Sequence, residues 1–421
     1  MKNKINFLSI SVCFMFFLLF VAGCSSASNS DGEDSGSDSG SDSGADVDTV
    51  KVAVIAPLTG PFAQNGENVV KGTELAIEEI NNNGGIKSLD GAHLELITAD
   101  AGSADPSHAA SVTRRVIQEN PDLTAVIGLW ASAYTVAAST VTEQEKIPML
   151  SQSFTDEITD RGYEYVFQFP EKASVMGELA VDALMDLSQT HNQEIKTVAI
   201  VADNQSSNKT VGQATAKQFK ELGVDVPVEE YYQPGITDAT SMSTKILNPD
   251  PDLVYVGGAI ADVSMIMKTL RGMGYEGTFL GNGGAYVIKE FKEATGDAGN
   301  GSFATVGWNW DFPYDGAEEF NQKYMDEFDE PFAPQEAGED YAMVYALKEA
   351  LETAGTSNPE EVRDAVANLD IPSIMTGGNI SFDETGMNAD VIPALVEWID
   401  GVPRTVYPKE ISSTEPIFKV N

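Results

Sequence analysis

Two short stretches of this sequence place hydroxyl groups where helices are expected to begin. Trp130-Ala131-Ser132-Ala133-Tyr134 lies between an apolar run and a helical stretch, and Ser151-Gln152-Ser153-Phe154-Thr155-Asp156 follows the apolar run that ends at Leu150. A helix leaves the N–H groups of its first turn without partners, and its dipole favours negative charge there. Ser132, Ser153 and Thr155, together with those N–H groups, therefore suit a carboxylate or another anionic or carbonyl oxygen. Trp130 and Phe154 flank the turns and could wall an apolar pocket, with Ala131 beside them. A plainer role fits the same residues. Ser132, Ser153 and Thr155 could be ordinary N-caps, Ser153-x-x-Asp156 fits a capping box, and the two aromatics could be core. A third stretch, residues 58–66, follows the first apolar run and is rich in turn formers.

Groups for covalent or metal chemistry are missing. The three histidines, His93, His108 and His191, do not pair at metal-ligand spacing, and no His-Glu-x-x-His occurs. The body has no Gly-x-Ser-x-Gly elbow and no phosphate loop ending in Gly-Lys-Ser/Thr. Gly281-Asn282-Gly283-Gly284 follows a strand but lacks the third glycine of a dinucleotide loop. No catalytic residue, metal or cofactor is expected.

The elements that must position these loops alternate. Residues 50–56 form a continuous apolar run ended by Pro57, as in a strand buried on both faces. A helix is expected over 67–82, stopped by Asn81, Asn82, Asn83 and two glycines. A strand at 93–98, a helix from Pro106 to about Asn120, a strand at 123–129, a helix at 135–144 and a strand at 147–150 follow. The rhythm restarts with strands at 197–202, 226–232, 253–256 and 278–280, separated by helices at 210–222, 239–247 and 262–273. Beyond residues 303–306 helices are expected at 317–328, 339–354 and 359–368, with short strands near Ile380, at 391–399 and at 402–407. Such alternation predicts an α/β fold of parallel sheets with helices on both faces, and two successive runs predict two Rossmann-like domains.

The charge bounds the partners. There are 65 acidic and 25 basic residues, a formal charge of −40. Nucleic acid and anionic lipid surfaces are excluded as charge partners, because both need clustered lysine and arginine. Such acidity suits a saline setting, where screening weakens self-repulsion.

The N-terminus reads as an export signal. Lys2 and Lys4 precede an apolar stretch at 7–22, too short for a comfortable transmembrane helix and right for a signal sequence. It ends in Val21-Ala22-Gly23-Cys24, which resembles the lipobox of bacterial lipoproteins, where the cysteine is lipidated; an uncleaved membrane anchor is the alternative. Cys13 and Cys24 are the only cysteines, so the mature body has no thiol chemistry and no disulfide. Residues 25–48 are a Ser/Gly/Asp tether. The expected place is extracytoplasmic: lipid-anchored to the outer face of the cell membrane, or periplasmic.

Residues 51–61, Gly72 with residues 76–81, Gly84-Gly85-Ile86, residues 126–128, 147–151, 161–163, 252–258 and 340–345 resemble, in order, the type I periplasmic solute-binding proteins, above all the leucine/isoleucine/valine-binding branch. The resemblance implies two α/β lobes hinged by crossover strands, with ligand trapped between them for delivery to an ABC importer. It divides the chain into a signal (1–23), a tether (24–48), lobe 1 (49–171 with 308–388) and lobe 2 (172–307 with 389–421). Ser132 then matches the serine that binds the ligand carboxylate. Ser153 and Thr155 match the pair holding carboxylate and amino groups. The family's ligand-facing acid falls at Gly283, and two ligand-facing aromatics fall at Ala259 and Asn65. Asp203 or Asp262 could replace the acid, although Asp262 also reads as an N-cap. The expected ligand is an amino acid, an amide or an organic acid. The expected partner is an ABC permease, with the protein working as a monomer. A sensory module for a membrane receptor and an extracytoplasmic hydrolase are the alternatives. The chain ends after the second lobe without a signalling segment, which favours the transporter.

Overall fold

The computed structural model describes residues 49–102 and 105–418. The signal, Cys24 and the tether lie outside the described residues. The body belongs to one compact unit, Val47–Asn421.

The first half runs β1 (Thr49–Ala56), α1 (Ala63–Asn82), β2 (His93–Asp100), α2 (Ser107–Glu119), β3 (Leu123–Gly128), α3 (Ser132–Glu145), β4 (Met149–Ser151), α4 (Glu157–Asp160) and β5 (Val166–Gln168). These strands form a five-stranded parallel sheet in the order β2-β1-β3-β4-β5. The second half runs α5 (Ala173–Thr190), β6 (Thr197–Asp203), α6 (Ser206–Glu221), β7 (Asp225–Tyr232), α7 (Thr240–Leu247), β8 (Leu253–Gly257), α8 (Ile260–Gly272), β9 (Thr278–Asn282), α9 (Glu290–Thr295) and β10 (Phe303–Thr305). The chain then gives α10 (Ala317–Phe328), α11 (Gln335–Ala354), α12 (Pro359–Ala367), β11 (Asp370–Pro372), β12 (Asn379–Ser381), β13 (Leu395–Ile399) and β14 (Val402–Tyr407).

The second sheet has the order β14-β13-β10-β9-β8-β6-β7. It is parallel through β10, but β13 and β14 add antiparallel, so this sheet is mixed. The strands β3, β8 and β9 are buried at every position, as continuous apolar runs covered on both faces must be. The chain passes between the sheets three times. It leaves the first after β5, returns after β10 to pack α11 on α1 and α12 on β3, and crosses again to form β13 and β14. Gly72 lets α1 approach α11, since a side chain there would collide with the Ala337 carbonyl. The result is a mixed α/β fold in two lobes, one around each sheet.

Several boundaries differ from expectation. The helices α1, α3, α6 and α11 begin three to four residues earlier than hydrophobic periodicity indicates. Their first turns face the cleft or the other lobe, and such turns carry polar residues that apolar spacing does not mark. Helix α5 is absent from the sequence expectation, although Ala173, Met176, Gly177, Ala180, Leu184 and Leu187 hold helical spacing and are buried.

Candidate functional site

In open parallel sheets, the loops beyond the carboxyl ends of strands leave room for a ligand. Here the ends of both sheets open on one cavity of about 500 Å³. The first sheet contributes Phe62 and Asn65 after β1, Trp130 to Tyr134 after β3, and Phe154 after β4. The second contributes Asn204 to Asn208 after β6, Gln233 and Pro234 after β7, Gly258 to Ile260 after β8, and Asn282 and Gly284 at the end of β9. Among the described residues lining it, none carries a charge.

Three helices start on this surface: α3 at Ser132, α6 at Ser206 and α8 at Ile260. None has a side-chain cap, so first-turn N–H groups stay open to a ligand, and each helix end carries about half a positive charge. Trp130 sits in the left-handed region at φ 59°, which is rare for a bulky residue and common at functional sites. Its ring lies 5.3 Å from that of Phe62, and a Cβ on Gly284 would be 3.6 Å from its Cζ2. Trp130 thus reaches from the first sheet's loop to the end of β9.

The carboxyl groups stand one layer behind the wall. Asn65 Nδ2 donates to Glu336 Oε1 at 2.7 Å. Burial pushes Glu336 up to about 7, against the opposing hydrogen bonds from Asn65 and Trp130. Glu171 is likewise pushed by burial to about 7, and Glu339 and Asp340 well above the usual carboxylate range by burial and mutual repulsion. On the other side, Asp203 accepts from the Gln205 N–H at 3.0 Å and from Asn208 Nδ2 at 3.1 Å. Burial raises its pKa; those donors oppose the rise.

Of the residues singled out from the sequence, Trp130, Ala131, Ser132 and Phe154 line the cavity. Ser153, Thr155, Asp203 and Asp262 do not. The Ser153 hydroxyl donates to the Trp130 carbonyl at 2.8 Å and pairs with Thr135 Oγ1 at 2.6 Å, so it fixes the Trp130 loop. Thr155 is buried behind Phe154 in the chain, outside the lining.

The capping roles do not hold. Ala131 is the cap of α3 and Ser132 its first helical residue. Asp156 caps α4 without a side-chain bond, because its carboxylate accepts from the Ser174 N–H at 3.0 Å instead; the capping box with Ser153 is not formed. Asp262 lies inside the first turn of α8, whose cap is Ala259, and holds the loop after β7 by accepting from Gly235 and Ile236. Sequence reasoning missed Asn204 to Asn208, Gln233 and Asn282. The same strand-end rule that selected the first sheet's loops would have found them.

The sequence profile of the family described as "Periplasmic binding protein" matches residues 49–398. The chain belongs to that family. This binding protein is 29% identical to the leucine-, isoleucine-, valine-, threonine- and alanine-binding protein of Pseudomonas aeruginosa, over 85% of its own length and 92% of that relative's. It resembles a crystal structure of the branched-chain amino acid transporter substrate binding protein from Streptococcus pneumoniae in complex with isoleucine, with TM-score 0.75, 25% identity, and coverage of 86% of this chain and 100% of that one. A solute binding protein of an ABC transporter from R. palustris in complex with benzoate shares the fold, with TM-score 0.74, 18% identity, and coverage of 88% and 98%.

Proposed function

We propose that this chain is the extracytoplasmic capture subunit of an ABC importer. It is anchored through a lipid on Cys24, closes its two lobes on a small polar ligand and does no chemistry on it. The ligand class is an amino acid, an amide or an organic acid. The observation that carries this reading is the uncharged cavity on which three helices begin, at the carboxyl ends of both sheets. Family membership supports it, as does the amino-acid binding of the Pseudomonas relative. The lobes divide at 171/172, 307/308 and 388/389, and these crossings act as the hinge. The protein acts as a monomer.

A thermal-shift panel of amino acids, amides and organic acids tests it. A ligand at 100 times its Kd adds about 2.7 kcal/mol of stability. With a ligand in hand, Ser132→Ala is expected to weaken binding by about 1.5–3 kcal/mol, the worth of a charge-assisted bond. Small-angle scattering should show a more compact bound form. Conversion of the ligand into product would overturn the reading.

A further inference from the structure

If the cleft captures a small molecule, its chemistry defines that molecule more closely than its size does. Two buried polar side chains reach the cavity surface with a donor left uncommitted. Ser132 is 8% exposed, and its hydroxyl bonds to no described residue. Asn282 is 7% exposed; its Oδ1 accepts the Tyr255 hydroxyl at 2.6 Å, which leaves the Nδ2 donor open. One comes from each wall, beside the unpartnered first turns of α3, α6 and α8. Donors and positive dipole ends therefore converge where no acid lines the surface.

The nearest carboxyls lie buried behind the lining, not on it. Asp203 is held by Gln205 and Asn208, and Glu336 by Asn65. Having given their N–H groups to these acids, Asn65 and Asn208 retain carbonyl oxygens. Those accept from a neutral hydroxyl or amide on a ligand, but they balance no cation. An ammonium group entering the closed cleft would lose water and gain no counter-ion, which is costly. A carboxylate meets donors from both walls, and Phe62, Trp130 and Phe154 offer apolar faces to the rest of the molecule.

We propose, resting on the capture function, that the cleft selects carboxylate anions with an apolar body and no ammonium group.

Calorimetric titration of the purified protein with matched compounds tests this. One series is 4-methylpentanoate, leucine and 3-methylbutylamine; the other is 3-phenylpropanoate, phenylalanine and 2-phenylethylamine. At least one carboxylate should bind at least ~10-fold tighter than its amino acid, and neither amine should bind measurably. Asn282→Asp keeps the shape of the side chain and its bond to Tyr255 but exchanges a donor for a negative charge. It should weaken the carboxylate by at least ~100-fold and narrow or reverse the preference over the amino acid. The wild-type ranking needs no variant, so a misfolded Asn282→Asp protein does not spare the proposal. Leucine and phenylalanine each binding at least as tightly as its desamino partner overturns it. So does the absence of binding by either carboxylate, or an unchanged ranking in folded Asn282→Asp. In each case the capture function still stands if another compound in the wider panel stabilises the protein and compacts it in scattering. It falls only if none does.

Discussion

The two walls of the cleft are built from different materials. The first sheet presents rings, Phe62, Trp130 and Phe154; the second presents amides, Asn204, Gln205, Asn208, Gln233 and Asn282. Rings supply apolar area without direction, whereas amides supply directed donors and acceptors. In the proposed capture role the first wall would meet the body of a ligand and offer Ser132 to its head group, while the amides of the second would meet its polar groups. The walls also share a device, an asparagine on the surface bonded to a carboxyl behind it. They differ in how well that carboxyl is served. Asp203 receives bonds from Gln205 and Asn208. Glu336 receives Asn65 at Oε1, with Trp130 beside it, and lies close to the similarly buried Glu339 and Asp340. Burial in the first wall therefore favours the protonated form of these acids.

The largest expected effect breaks that asymmetry with pH. Glu336 and Glu171 rise from 4.5 to about 7 in the folded protein. Between those values the folded state binds more protons than the unfolded chain. Stability is therefore full below the unfolded pKa and falls as pH rises through 7, by up to ~3 kcal/mol per group. Urea unfolding from pH 5 to 8, in enough salt to screen surface repulsion, should show this decline. Glu336→Gln should flatten its share, and an unchanged slope would contradict the assignment.

A smaller effect separates the first wall from the second. Trp130→Ala should weaken any bound ligand by about 1.5–3 kcal/mol, since the apolar area it removes from the cavity wall does not depend on the ligand's head group. Ile260→Ala on the second wall, with a smaller and half-exposed side chain, should cost about 1 kcal/mol or less. Titration of both variants with one ligand checks the order. The smallest effect concerns the second wall's acid. Asn208→Ala removes a donor to Asp203 and should cost about 1 kcal/mol of stability, seen as a lower urea midpoint at unchanged slope.

Much of the fold was legible. The central strands β1, β3, β6 and β8 announce themselves as apolar stretches, whereas the short β5 was not expected, and strand ends are where parallel sheets bind ligands. That logic found Trp130, Ser132 and Phe154. Applied equally to the second half, it would have found Asn204 to Asn208 and Asn282. The spacing of α5 was there to be read as well.

The sequence by itself determined the alternation of elements, the export signal as an expectation, the family resemblance and the loops on which a ligand would rest. These come from local periodicity and from the order of motifs. The tertiary structure alone decided which polar groups remain available. Ser153 is committed to Trp130 and Thr135, Asp262 to the loop after β7, and Glu336 to Asn65, 271 residues away in the chain. Ser132 and the Asn282 Nδ2 are left open. A hydrogen bond between distant residues depends on how the sheets and helices pack, and no local pattern encodes it; the neutrality of the cleft wall is the sum of such bonds.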